Sequence, residues 1–272
     1  MFSVTSLGFL PFMALFVCLW YRVPQPSRWK LVLAANAVFC LSIDIGAFFA
    51  VALATAVVWQ AAQHAQPERP SRRGWLALGL AAALLPLLVL KYSGMLVPGL
   101  RDLYKPFGLA YYSLQLAGYL LDVWHGRTTP TPSYARLWCY AGFFLSLTQG
   151  PFNRYNTLMP QLEAAPKAFE TQRLVSGLQR SAWGYFKKFA IADRAAIVVS
   201  AAFADPASFD RSQLIFATVM YSFQLYADFS GYMDMMCGFC EVLDIRLTEN
   251  FERPYFSKSI AEYWRRWHSS LG

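Results

Sequence analysis

Apolar residues come in long blocks separated by short polar, mostly basic breaks, and several blocks approach the ~20 residues that an α-helix needs to cross a bilayer. The first runs from about Ser6 to Tyr21. The preceding MFSVTS carries no Lys or Arg, and no small-residue cleavage site follows the apolar run to Trp20, so the block reads as a retained helix and not a signal peptide. A basic break holds Arg22, Arg28 and Lys30 around Pro24 and Pro26. The next run, Leu31 to Ala62, is too long for one crossing, and Ser42-Ile43-Asp44 predicts a tight turn between two helices. After the Pro-rich segment QHAQPERPSRRG, with Arg69, Arg72 and Arg73, the pattern predicts a helix over Gly74 to Leu90 with a kink at Pro86. Lys91 to Lys105 is mixed, and Phe107 to Trp124 is again helical. Leu137 to Thr148 is apolar but only about half to two-thirds of a spanning length, which fits a re-entrant segment or a crossing.

Further on, Leu174, Leu178, Trp183, Tyr185, Phe186, Phe189 and Ile191 alternate with Gln179, Arg180, Lys187 and Lys188. This predicts an amphipathic helix at the membrane interface with its cations near anionic headgroups, or an ordinary helix linking two spans. Phe209 to Met236 returns to the membrane. On a helix through Met220 to Met236, Tyr221, Gln224, Asp228, Tyr232 and Met235 share one face. An acid in an apolar segment costs several kcal/mol unless paired or wetted, so Asp228 is expected to face a cation or a water-filled cavity. It serves either a substrate path or a structural hydrogen-bonding node. Gly231 beside it permits close helix approach, and Asp234 lies about 120° further round.

The segment TENFERPYFSKS is charged and irregular, and Ser259-Ile260-Ala261-Glu262 has the capping-box pattern that starts a helix. On that helix Trp264 and Arg265 precede His268 by four and three positions, and Tyr263 is expected to stack over Trp267. One reading is an interfacial belt of Trp and Arg that His268 merely joins. The other is chemical: a neutral imidazole takes a proton from a hydroxyl, with nearby arginines depressing its pKa. His64 and His125 read as solvated loop residues.

Composition places all this in a membrane: 56% of the 272 residues are hydrophobic, 17% aromatic and only 15% charged. The net charge of +8 is held in short clusters between apolar runs, which excludes a nucleic-acid partner in favour of membrane-flanking loops. With the N-terminus outside, the basic loops 22–30, 64–73 and 125–136 fall on the cytoplasmic side. Arg154 to Arg194, with Lys167, Arg173, Arg180, Lys187 and Lys188, joins them, against Lys91, Arg101 and Lys105 outside. The five cysteines are an odd number, mostly inside apolar runs, and the CGFC pair lacks further soft ligands. They read as small buried hydrophobes, with no disulfide framework and no metal site. No repeat or long linker is visible, and the chain reads as one all-α membrane domain over 1–272, with N-terminal transmembrane helices in 1–104.

The run LYADFSGYMDMMCGFCEVLDIRLTENFERPYFSKSIAEYWRRWHSSL resembles the bacterial branch of the membrane-bound O-acyltransferases, the alginate O-acetylation and D-alanyl-transfer group. FGLAYYSLQLAGYLLDVWHG, QGPFNRYNTLMPQL and GYFKKFAIADR are similar in the same order, so the resemblance covers roughly 105–272 as the family core. It implies an all-α polytopic inner-membrane protein, a ring of transmembrane and re-entrant helices around a funnel. It also implies transfer of an acyl group, expected here to be acetyl, from a cytoplasmic thioester (acyl-CoA or acyl-carrier protein) to a hydroxyl of a cell-surface polysaccharide or related acceptor. No bound cofactor is implied. Partners would be membrane lipid, the acyl donor and polysaccharide modification or export proteins. By motif, His268 matches one of two hallmark histidines. Asp228, Ser230, Asp234, Asn250, Arg253, Pro254, Tyr255, Trp264, Arg265 and Arg266 match positions around it, and Gln149 and Arg154 match the earlier loop.

Family members carry the second histidine further on, in an apolar helix, where it serves as general base for the acceptor hydroxyl. The sequence stops at Gly272 and offers no equivalent. The expectation is therefore a fragment or a truncated gene that lacks the acceptor half of the site and is inactive alone. The absence of a GxSxG elbow agrees with direct transfer without a covalent intermediate. Two other classes are a transporter or channel subunit using Asp228 and Asp234, which would favour inverted repeats not found here, and a non-catalytic scaffold docking a partner through its basic loops.

Overall fold

The polar break at Ser42-Ile43-Asp44 is the turn that its place in an apolar run predicts. Helix α2 (Arg28–Ile43) ends there and α3 (Ile45–His64) begins, with Asp44 extended and its carboxylate accepting from the Gly46 amide as the N-cap. The second carboxylate oxygen accepts from the Phe107 amide at 3.1 Å, which ties the entry to α5 (Leu109–Trp124) to the same point. In this computed structural model, which describes residues 4–67, 69–97, 99, 106–164 and 169–271, every regular element is helical among the described residues. Arg101, Lys105 and Lys167 of the charge pattern lie outside them.

Contacts divide the chain into two compact units, one of residues 1–148 with 152–166 and the other of 149–151 with 167–272. The first contains α1 (Phe9–Arg22), α2, α3, α4 (Arg72–Leu96), α5 (Leu109–Trp124), α6 (Tyr134–Ala141) and α7 (Tyr155–Glu163). Helix α3 and residues Arg72–Met95 of α4 are long and apolar enough to cross a membrane. Pro86 lies inside α4, which continues through it. Edge-on contacts of Phe9 with Phe39 and of Phe16 with Phe144, and a tilted contact of Phe39 with Phe144, pack the interior of this unit.

The short apolar segment after Ser133 is not a continuous crossing. Helix α6 has 8 residues, a rise of ~12 Å, and the chain then runs through turns in which Phe143, Phe144, Leu145 and Leu147 are fully buried. Buried backbone in the last turn of a helix and beyond it needs partners. Asn36 of α2 supplies two: its amide nitrogen donates to the Cys139 carbonyl and its oxygen accepts from the Phe144 amide, both at 2.9 Å.

The second unit is built on α10 (Arg211–Val242), 32 residues started by a capping box between Asp210 and Gln213. Helix α8 (Thr171–Phe186) continues through a π-helical stretch, Lys187–Ala192, into α9 (Asp193–Ala204), and all three pack on α10. Helices α8 and α10 meet on glycine. A Cβ at Gly184 would stand 2.5 Å from the Gly231 carbonyl oxygen, and one at Gly177 would stand 2.6 Å from that of Gly238. The pairing 177 with 238 and 184 with 231 is antiparallel and repeats every seven residues, so the close approach predicted at Gly231 extends over two turns.

The amphipathic stretch is present, but its polarity is the reverse of a headgroup-binding helix. Leu178, Trp183, Phe186 and Phe189 are exposed, whereas Arg173, Arg180 and Lys187 turn inward to acids. Acids on α10 and in the loop after it pair more closely than a distant lipid phosphate would, because the glycine contact brings them within bonding range.

The seam gives a stability prediction with an internal control. Gly184→Leu should lower stability in detergent by about 1–3 kcal/mol or more through overpacking. Gly118→Ala in α5, where a Cβ meets nothing within 4 Å, should raise it by about 0.5–1 kcal/mol. Thermal unfolding of the two purified variants beside wild type checks both signs.

Candidate functional site

Asp228, Ser230 and Asp234 turn toward the α8–π-helix connection, where Lys188 Nζ lies 2.7 Å from Asp228 and Lys187 Nζ lies 2.6 Å from Asp234 and 3.3 Å from the Ser230 hydroxyl. Asp228 therefore has the cationic partner its setting demanded, and Lys188 also reaches Asp193 at 2.9 Å. Arg180 donates from Nε to Asp234 at 3.2 Å and sends its two terminal nitrogens to the Glu249 carboxylate at 2.7 and 2.6 Å.

Tyr226 and Phe229, on the neighbouring face of α10, carry the segment that follows. Phe251 stands edge-on to Phe229 with centroids 5.0 Å apart, and Tyr226 lies against Phe251, Tyr255 and Trp267. Asn250 is buried, its amide reaching the Met233 sulfur at 3.3 Å. The Tyr255 hydroxyl donates to the Ser222 carbonyl at 2.8 Å. Arg253, exposed, takes a left-handed conformation at φ 46° ahead of Pro254, which is buried.

Helix α11 (Ile260–Arg266) starts where the sequence predicts, with the Ser259 hydroxyl accepting from the Glu262 amide. The Glu262 carboxylate reaches back one residue further than expected, to the Lys258 amide, and that bond holds its carboxyl below the usual range. Tyr263 stacks on Trp267 as predicted, at 5.6 Å and 18°. The helix does not continue to His268. Trp267 is extended and forms an isolated antiparallel bridge with Phe251, Glu252 N donates to Arg266 O at 3.0 Å, and Ser269 N donates to Asn250 O at 3.1 Å. These pairings replace the next helical hydrogen bonds, so His268 stands at φ 51° outside the helix and Trp264 is exposed. Arg265 is exposed, and Arg266 pairs with Glu262 at 2.6 Å.

His268 lies half-buried against Phe229, ring centroids 4.9 Å apart at 63°. Burial pushes its pKa below the ordinary 6.5, so the imidazole is neutral at pH 7 and able to accept a proton. The cause is desolvation and not the neighbouring arginines.

Gln149 and Arg154 fall in different units. Gln149 is exposed. One guanidinium nitrogen of Arg154 reaches both carboxylate oxygens of Asp122, at 2.5 and 2.7 Å, and Asp122 is buried in α5. The acid in DVWHGR was the unread signal for that pairing. His64 ends α3 stacked on Trp75 at 4.6 Å, and His125 caps α5 through the Leu121 carbonyl. Cys237 and Cys240 are buried in α10.

The chain belongs to the membrane-bound O-acyltransferase family, whose model matches residues 127–271. That match takes in α6 to α11 and His268. Among its relatives is a probable alginate O-acetylase, AlgI, of Azotobacter vinelandii, 32% identical over 96% of this chain and 55% of that protein. A peptidoglycan O-acetyltransferase of Helicobacter pylori is 29% identical over 76% of the chain and 46% of its own length. A teichoic acid D-alanyltransferase of Bacillus subtilis is 27% identical over 63% and 44%. The chain spans about half the length of the curated relatives it matches.

The depressed imidazole has a stability consequence. Its contribution is complete above about pH 6.5, the unfolded value, and is lost as pH falls through the lower folded value, because the unfolded state binds the proton first. Wild type should lose thermal stability on acidification more steeply than His268→Gln, a difference read from melting midpoints between about pH 5 and 8. Parallel pH curves for the two proteins would contradict it.

Proposed function

We propose that the chain is the part of a membrane-bound O-acyltransferase that carries its first hallmark histidine. The protein moves an acetyl group from a cytoplasmic thioester, on coenzyme A or a carrier protein, to a hydroxyl of an envelope polysaccharide. What supports this reading is one juxtaposition within the family-matched segment: His268, neutral and half-buried, is held on Phe229 beside the ion-paired α10. The activities that name these relatives, O-acetylation of alginate and peptidoglycan and D-alanylation of teichoic acid, share acyl transfer to a glycan-type polymer of the cell envelope.

In this reading the protein is a multi-pass protein of the bacterial inner membrane. The buried turn after α6 is a re-entrant segment, and the helices line a funnel whose cytoplasmic side presents His268. Gln149, Asp228, Ser230, Asp234, Asn250, Arg253, Tyr255, Trp264, Arg265 and Arg266 shape the passage around it. The acceptor oxygen attacks the thioester carbon, the C–O bond forms as the C–S bond breaks, and the hydroxyl proton passes to the departing thiolate by way of the second hallmark histidine as base, with His268 beside the transfer on the cytoplasmic, thioester side. Holding thioester and hydroxyl together supplies much of the gain, and proton transfer by a positioned base contributes about 10²–10⁴-fold.

Replacing His268 by Ala in the natural gene, in its own host, should bring polysaccharide ester content to background while membrane levels of the protein stay constant. Ester content equal to wild type would leave His268 as an interfacial residue and remove it from the mechanism.

A further inference from the structure

The residue after His268 is anchored twice to one short segment: Ser269 N donates to the Asn250 carbonyl at 3.1 Å and its hydroxyl donates to the Glu249 carbonyl. The position of His268 therefore depends on where residues 249–250 are held. Asn250 is fixed by burial, but the Glu249 side chain is 62% exposed and is fixed by Arg180. The geometry points to Arg180 as a positioning residue for His268, acting through the Glu249 carboxylate and the Glu249–Ser269 backbone link.

Three features favour positioning over a simple surface ion pair. Two parallel N–H···O bonds fix the carboxylate plane as well as its distance. The third nitrogen bonds Asp234, itself clamped by Lys187, so Arg180 refers the loop to the α8–α10 seam. Finally, Arg180 lies seven residues before Lys187 and between Gly177 and Gly184, so the glycine contacts limit its backbone. An isolated exposed ion pair adds little stability. Here the network sets geometry, and a displacement of about 1 Å at a reacting group can cost up to 10²-fold in rate.

This inference rests on the acyl-transfer reading, so its test has one arm that needs no activity. Arg180→Gln, Glu249→Gln, the double variant, Arg180→Lys and His268→Ala are made in the natural full-length protein. In membranes, Arg180→Gln and Glu249→Gln should each lower kcat about tenfold with KM for the thioester within about twofold, since the geometry of the transfer step and not donor binding is disturbed. The double variant should lose no more than either single one, because both cut the same link. Arg180→Lys, keeping charge without the fork, should recover only part of the rate. In detergent, carbethoxylation of His268 by diethyl pyrocarbonate should be several-fold faster in both Gln variants than in wild type, whether or not transfer is measurable.

Unchanged His268 reactivity in both Gln variants overturns the positioning role. So do losses that multiply in the double variant, or a change confined to KM. Transfer that survives His268→Ala instead overturns the acyl-transfer role of His268, and the reactivity arm still decides whether Arg180 holds it.

Discussion

Two helices that touch through bare glycine cannot hide charge between their backbones, yet they bring the charges at the edges of the contact within bonding range. That is the constraint on which the second unit depends. With Gly177 and Gly184 seated on Gly238 and Gly231, the side chains flanking the seam meet at 2.6–3.2 Å, so Lys187 and Arg180 share Asp234 and Lys188 takes Asp228. A side chain at any of these glycines would push the helices apart by more than a hydrogen bond tolerates. The π-helical stretch follows the seam directly, and its Lys187 and Lys188 both reach α10, one on each side of Gly231. Two acids in a largely apolar helix become tolerable because their partners are delivered by the same packing that buries the helix.

The site inherits this order. The face of α10 next to the ion pairs carries Tyr226, Phe229 and Met233, and on them the loop residues Asn250 and Phe251 and the returning Trp267 and His268 settle as one cluster. Aromatic contact provides the burial, and the Phe251–Trp267 bridge provides direction. Desolvation then makes His268 a neutral imidazole. The chemical property comes from burial on Phe229, and the burial comes from a backbone pairing between segments about sixteen residues apart in sequence.

What could be read in advance was what depends on neighbours in sequence. A polar triplet within an apolar run marked the Asp44 turn, a Ser-x-x-Glu pattern marked the start of α11, and a glycine beside an acid marked close approach at Gly231. The unread features depend on partners far along the chain. Asn36 looks like an isolated polar residue in an apolar block, and its partner carbonyl is 103 residues away. Arg180 and Glu249 are 69 apart. Helical spacing grouped Trp264 with His268 on one helix, and the structure separates them, because a spacing rule does not see that Phe251 pairs with Trp267 and that the helix ends at Arg266.

The reversed polarity of α8 shows the same limit and adds a physical reason for the membrane setting. Periodicity finds two faces of a helix without saying which one is inside. Here Trp183, Phe186 and Phe189 on the α8–π stretch, and Ile215, Phe216, Val219 and Phe223 on the first half of α10, are exposed. Arg180, Lys187 and Asp234 are turned inward. In water that arrangement leaves large apolar area solvated while desolvating ions, two costs at once. Against lipid the first cost disappears and the second is met by pairing, since an ionised group at bilayer depth needs an opposite charge more than any surface group does. The charges that shape the candidate site and the apolar exterior are thus two results of one solvent.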